Sequence, residues 1–517
     1  MASTTFVDQV TPVVASWLND VNDTVYEFTQ TGAGAVARTA QGKMRDFISA
    51  FDFMTDAQIS DVQAGTLAQD VTTALQAAID AGKNVYLPAG NYKITGPLYL
   101  DGGPLGCRLA GAGRQRTTIT KTTTTVGTGT NTARGATVND SYAVDAAIIL
   151  RHANEAFTYF VEISDLGITS HSSNNDYAIY APRSSGIVLK NLYILYFKYG
   201  FLSYDSFLGE FDSVWVDGTG RTSWRGFTLP DDGSGGGTGT TLTFTNCWAL
   251  RGTGIAWNII GLTYSSFINC ASDNVTGQAY HFETCTGVTV SGCGMEGTTI
   301  AAGEYAFAII NSRMHIAGCR GFGLIGNAAA CYALMIDSSF VSMQNCRWDD
   351  FTTPAGAYNL AIQNGSELFD SGNQFPTNGN SFVSYTSSSR RFITGGTNVL
   401  SVVDSNGTFL ADLYQQVTVT YSASMTIDSA AGNEFIITAT NGTAFTINAP
   451  TNPVTGKRLT ITLRNSSGGA LGAATWNATF KMSAWTNPAN GQNRSITFQY
   501  NGTNWIQISQ TGVDVPN

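Results

Sequence analysis

The sequence predicts an all-β protein: a right-handed parallel β-helix, with a short helical N-terminal attachment and cap region and a C-terminal β-sandwich-like domain. Three observations predict it: a strand signal recurring every 22 to 27 residues, a very low charge content, and a change of pattern over roughly the last hundred residues. Only 12% of the 517 residues are Asp, Glu, Lys or Arg, while 43% are hydrophobic and 56 residues are Gly. Ordinary soluble domains carry about 25% charge, so this chain is solvated by hydroxyls and amides while keeping enough apolar side chains for a large core. Its length exceeds one ordinary core and suits an extended solenoid.

The period shows when FTNCWAL, FINCASD, VSGCGME, IAGCRGF and MQNCRWD are aligned. Cys247, Cys270, Cys293, Cys319 and Cys346 then share one column, at separations of 23, 23, 26 and 27 residues. Upstream the column runs through Leu166, Leu192 and Val214, and downstream it reaches Gly372. Asn246, Asn269, Gly292, Gly318 and Asn345 precede it. Asn and Gly tolerate the left-handed backbone region, so each marks a sharp bend before a short strand. A second column, Ile255, Tyr280, Tyr305, Tyr332 and Tyr358, repeats with steps of 25, 25, 27 and 26. Two strands sharing one period describe the coil of a parallel β-helix, in which stacked repeats bury a continuous core. The Leu-x-x-Leu-x-Leu frame of leucine-rich repeats is absent. Eight cysteines could suggest disulfides in a secreted protein, but the column reads as an interior stack of small apolar side chains.

Four segments follow along the chain. Residues 1–45 read as an attachment segment, with a helix around TPVVASWLNDVNDTVY and a linker, TGAGAVARTAQGK. Residues 46–140 form a cap and the first coils, in which 68–82 (AQDVTTALQAAIDAG) is an amphipathic helix leading into the strand NVYLPAGNYKIT. A helix at that place covers an open solenoid end, which would otherwise aggregate. Residues 141–405 are the β-helix proper, and 406–517 an all-β domain with alternating strands such as EFIITAT, RLTITLRN and SITFQYN. The start lacks a basic region followed by an apolar run, and 18 apolar residues never run together, so synthesis in the cytosol and no membrane insertion are expected. A net charge of −10 and a pI near 4.9 argue against nucleic acid as a partner.

STTFVDQVTPVVASWLNDVNDTVYE resembles the virion-attachment segment of podovirus tailspikes and tail fibres. AVARTAQGKMRDFISAFDF followed by ALQAAIDAGKNVYLPAGNYKIT resembles the entry into their pectate-lyase-like β-helix, SFINCASDNVTGQAYHF and VSGCGMEG resemble its coils, and the final hundred residues look like a recurrent C-terminal module. One departure is visible: relatives often read DFGAxGDGxxDD where this chain has Asp52, Phe53, Met54 and Thr55, which alters a cap turn. The resemblance implies a homotrimer made in the host cytoplasm, attached to phage tail proteins through its N-terminus and meeting a bacterial surface polysaccharide. It does not supply catalytic residues.

Those must come from the coils. If the Cys column points inward, the first and third residues after it point outward. The first outward column reads Tyr193, Trp215, Trp248, Ala271, Gly294, Arg320 and Arg347; the third reads Leu195, Asp217, Leu250, Asp273, Glu296, Phe322 and Asp349. Neighbouring coils lie about 4.8 Å apart, which makes Asp273 and Glu296 adjacent carboxylates. Like charges that close raise one pKa, which suits an acid paired with a base or nucleophile. Separations of about 5 to 5.5 Å fit retaining glycoside hydrolysis, and about 6.5 to 9.5 Å fit inversion. Trp215 and Trp248 could stack on sugar rings, Arg320 and Arg347 could bind acidic groups in a fork, and Asp217 and Asp349 share the substrate-facing column. Glu283, beside His281, is a competing acid; His281, His152, His171 and His315 otherwise read as structural. No Gly-rich phosphate loop, Ser/His/Asp order or metal cluster stands out, so neither cofactor nor metal is expected. Two readings result: a depolymerase, most simply an endo-glycosidase with a polysaccharide lyase as its variant, and a non-catalytic adhesin.

Overall fold

The computed structural model describes residues 27–103, 105–131, 140–151, 157–171, 176–230, 239–326, 331–348, 358–375, 383–385, 389–394 and 416–517. The predicted N-terminal helix lies outside them. The chain forms two compact units: one of 1–308, 312–333 and 349–357, the other of 309–311, 334–348 and 358–517. Among the described residues, no helix is long and apolar enough to cross a membrane.

The first unit is a parallel β-solenoid. Helix Thr72–Ala81, within the predicted 68–82, packs against the early strands Asn84–Leu87 and Leu98–Leu100 and buries Leu75 and Ala78. A second helix, Asp56–Ala64, starts on a Thr55 capping box and ends at Gly65, whose φ of 70° needs glycine's freedom. Asp52, in the altered cap turn, accepts a hydrogen bond from the Ser49 N–H and closes a capping box of its own.

Each coil contributes short strands to two sheets. In the first sheet Leu166 lies opposite Leu192 and Leu192 opposite Val214. One position on, Trp215, Trp248, Ala271, Gly294 and Arg320 pair successively. That register stacks Val214, Cys247, Cys270, Cys293 and Cys319 inside, and each of these cysteines is at most 3% exposed. The residues before them turn the chain through left-handed backbone, at φ 53° for Asn246, 52° for Asn269, 63° for Gly292 and 61° for Gly318. Ring ladders fill the interior: Phe211, Phe244 and Phe267 stack at 4.3 and 4.7 Å, and Phe227 stacks on Trp257 at 4.1 Å.

The second sheet corrects the second column. Ile255 lies opposite Gln278, whereas Tyr280 lies opposite Trp257 and stacks on Phe307 at 5.0 Å. Tyr280 is 1% exposed, while Tyr305 and Tyr332 are half-buried and begin their strands two residues before the interior position. The aromatic ladder sets this register, because a ring inside a coil packs best on another ring.

The second unit holds further coils and the C-terminal sheets. Here the residue stacked next to Cys346 in the interior is Asn373, not Gly372: Arg347 bridges Gln374, and the Asn373 side chain accepts from the Cys346 N–H at 2.7 Å. Gly372, at φ 66°, instead continues the bend column. A polar Asn serves inside because its amide also donates to the Met343 carbonyl and to Asp370, leaving no buried donor orphaned.

At the C-terminal end two sheets enclose a core of Met425, Phe435, Ile437, Phe445, Leu459, Ile461, Phe498 and Trp505. The two-sheet arrangement agrees with a sandwich, but the pairing differs. Gln416–Val419, Glu434–Ala439 and Arg458–Asn465 pair in parallel, as do Ser424–Met425, Phe445–Ile447 and Ala474–Trp476. The chain alternates between the sheets before Gln492–Tyr500 and Trp505–Gln510 close the larger one antiparallel.

Candidate functional site

The site forms in three-residue strands held between pairs of left-handed bends. Ala271–Asp273 lies between Asn269 and Asn274, both at φ 52°, and Gly294–Glu296 between Gly292 and Gly297, at 63° and 60°. Equal bends at both ends fix the register, placing Asp273 directly opposite Glu296 and Glu296 opposite Phe322. Beside them, where earlier coils carry Trp215 and Trp248, stand only Ala271 and Gly294. The missing bulk opens a groove of about 440 Å³ lined by Ala271, Asp273, Gly294, Met295, Glu296, Arg320 and Phe322.

Within it Asp273 is half-buried and Glu296 exposed. Burial pushes the Asp273 carboxyl above the usual carboxylate range, the charge of Glu296 pushes the same way, and the Trp248 indole N–H acts against both. That N–H is itself buried and has no partner in ordinary hydrogen-bond range. Among the described residues neither carboxylate forms a salt bridge. The arrangement sets a half-buried carboxyl with a raised pKa beside an exposed carboxyl, an asymmetry of the kind found where two carboxyl groups divide acid and base roles.

Of the other sequence candidates, Trp215 and Trp248 are neighbours, edge to face at 5.1 Å and half-buried. One face of Trp215 is occupied by the Arg114 guanidinium, 3.5 Å from the ring centre, so it offers less surface to a sugar than expected. Asp217 does not face substrate. Its side chain is fully buried, bonded to Arg251, to the Tyr193 hydroxyl at 3.0 Å, and to the backbone N–H and hydroxyl of Thr219 at 3.0 and 2.6 Å. Leu250, also expected to point outward, is 7% exposed. Arg320 leans over the Phe322 ring at 5.2 Å on the groove wall. Arg347 is exposed in the second unit, and Asp349 lies outside the described residues. Glu283 sits on the other sheet, where His281 bridges it at 3.2 Å to Gln278 at 3.2 Å. That histidine is tied into a side-chain chain, as a structural role predicts.

Two contributions escaped sequence reasoning, the Met295 floor and the Trp248 N–H. A buried residue between two outward ones gives no chemical signal, and which edge of an indole faces a carboxylate depends on its rotamer.

Residues 63–196 match the model of the rhamnogalacturonase A/epimerase, pectate-lyase-like family. That stretch takes in helix Thr72–Ala81 and the first coils of the solenoid. Among solved structures, the gp42 tailspike of Acinetobacter phage vb_AbaP_AS12 is similar at a TM-score of 0.55 and 15% identity, over 94% of this chain and 84% of that one. At that identity the likeness concerns the fold: this chain is a β-solenoid of the kind found in a phage tailspike. ORF18 of Geobacillus virus E2 (14% identity, 95% and 83% coverage) and the adhesin PfbA of Streptococcus pneumoniae (12%, 89% and 99%) align with TM-scores of only 0.37 and 0.39, too low to argue from. No curated protein matches in sequence.

Proposed function

We propose that this chain is a phage tailspike that binds a bacterial surface polysaccharide, such as capsule, exopolysaccharide or lipopolysaccharide O-antigen, and cleaves its glycosidic bonds. The observation that carries this reading is the Asp273–Glu296 pair, in register on adjacent coils of an open groove, with Asp273 inclined to keep its proton. Asp273 donates a proton to the leaving-group oxygen; Glu296 acts as nucleophile or as base toward water. Arg320 and Phe322 line the same groove and hold the sugar by charge and by an apolar face. The tailspike-like fold supports the setting, in which a homotrimer attaches to the virion through its N-terminus. A threefold closed assembly would hide long low-charge faces on all protomers at once.

The test is to incubate purified protein with host capsule or lipopolysaccharide. New reducing ends without ultraviolet absorbance identify a hydrolase. Absorbance from an unsaturated uronate identifies a lyase, and binding without either product overturns cleavage and leaves an adhesin. A monomeric mass in light scattering at micromolar concentration overturns the trimer.

A further inference from the structure

The outer face of the second sheet carries a cluster that the carboxylate groove does not use. Tyr177, Tyr199 and Arg225 occupy equivalent positions on three successive coils. The two tyrosine rings stack at 4.7 Å and 15°, half-buried, and neither hydroxyl has a hydrogen-bond partner among the described residues. Lys198 holds its ammonium 5.4 Å from the Tyr199 ring centre. Arg221, on the same coil as Arg225, donates to the Ser170 hydroxyl at 3.2 Å.

Arg225 is anomalous. Its guanidinium is half-buried, yet among the described residues it makes one hydrogen bond, 3.3 Å to the carbonyl of its neighbour Trp224, and no salt bridge. Burial lowers its pKa, and Tyr199 is the group acting the other way. An arginine carries five donors, and desolvating the charge without a carboxylate is unfavourable. The nearby carboxylate, Asp176, interacts with Lys198 and Arg221, and burial raises its pKa in spite of both. A second acid, Asp145, also acts on Asp176 and pushes its pKa further up, so Lys198 and Arg221 are already engaged by Asp176 while Arg225 is not.

We propose that Arg225, with Lys198 and the hydroxyls of Tyr177 and Tyr199, forms a subsite for the carboxylate of an acidic sugar residue. The proposal rests on the reading that this chain binds a glycan, and it narrows that glycan to one containing uronate-type sugars. The planar guanidinium matches a carboxylate in two parallel hydrogen bonds, a fit that an ammonium alone lacks. The tyrosine hydroxyls, one strand spacing apart, are placed to bond ring hydroxyls of the same sugar.

Sodium glucuronate, glucose and inorganic phosphate, titrated into the full-length protein under ligand-observed NMR, test it. Glucuronate is expected to bind, with glucose at least about ten-fold weaker, and Arg225→Gln is expected to weaken glucuronate by about ten-fold or more. The same variant should leave the unfolding temperature unchanged or raised, because it removes an unpaired desolvated charge; a structural arginine would lower it. If Arg225→Gln misfolds, Lys198→Gln gives the same comparison with a smaller loss. Equal glucuronate binding by wild type and variant, or displacement by phosphate as effective as by glucuronate itself, overturns the subsite. Asp273→Asn should leave glucuronate binding intact. Polysaccharide cleavage without glucuronate binding would therefore sink the subsite and spare the proposed activity, and the reverse result would do the opposite.

Discussion

Asp217 and Asp273 occupy the same column of the same sheet, two coils apart, and have opposite fates. Asp217 is sealed in, bonded by Tyr193, Thr219 and Arg251. Asp273 lines an open groove beside a second carboxylate. The bend that follows the column makes the difference. In one coil it is Arg251, at φ 61°, whose guanidinium reaches back to Asp217. In the next two it is Asn274 and Gly297, with the Asn274 amide lying over the space that a Gly297 side chain would need. No cation on this row reaches Asp273 from the bend, and Ala271 and Gly294 leave room above it. A carboxylate's column position therefore says little about its role; the groups that can reach it decide.

The largest effect should come from the open pair. Asp273→Asn and Glu296→Gln are each expected to reduce polysaccharide cleavage by about 10²-fold to 10⁴-fold, with fold and glycan binding retained, as measured by reducing-end release. Asp217→Asn should leave glycan binding unchanged. Near wild-type turnover in both groove variants would move the site elsewhere, with Glu283→Gln the next to test.

Breaking the sealed carboxylate should instead unfold the protein more readily. Arg251→Met leaves the buried Asp217 charge without its cation, and because Arg251 is itself half exposed the expected loss is about 2 kcal/mol, below the roughly 3 to 5 kcal/mol of a fully buried pair. Denaturant unfolding measures it. An unchanged midpoint would mean that Tyr193 and Thr219 alone satisfy Asp217.

A smaller, pH-dependent effect separates the two carboxylates further. The folded-state pKa of Asp273 is raised, so its contribution to stability is fully present below its unfolded pKa of about 3.9 and is lost as pH rises through the folded value. Asp273→Asn mimics the protonated form. It should raise the unfolding temperature at neutral pH and bring no gain below about pH 4. Glu296→Gln removes a charge that raises the Asp273 pKa and should give part of the same stabilisation. A gain independent of pH would overturn the burial argument.

The inner face offers the mildest test. Burial pushes the Cys285 thiol up to about 12 and Cys107 to about 11, and holds Cys270 above its ordinary range. Cys107 alone among the eight is only partly buried. Native thiol titration should therefore find slow reaction at Cys107 at most, with the others appearing after denaturation. Several native disulfides would contradict the interior column.

The column of cysteines, its preceding bends and the adjacency of Asp273 with Glu296 were all legible from the repeat. Identical bends impose one register, and a small residue after a left-handed turn has few places to go. The second column was less legible: Tyr280 and Tyr305 look alike in sequence, yet only Tyr280 enters the ring ladder. Gly372 was misplaced by one because Asn373, which reads as a surface amide, is the residue that fills the interior.

Period, bend chemistry and low charge thus determined that this chain coils in parallel and which side chains share a row, because these depend on local backbone preference repeated at constant spacing. Tertiary structure alone decided which carboxylate is neutralised, which tryptophan face is covered by a cation and, among the described residues, which arginine is left without an acid. Those outcomes depend on side chains from different coils meeting across the sheet, and on burial that no single repeat specifies.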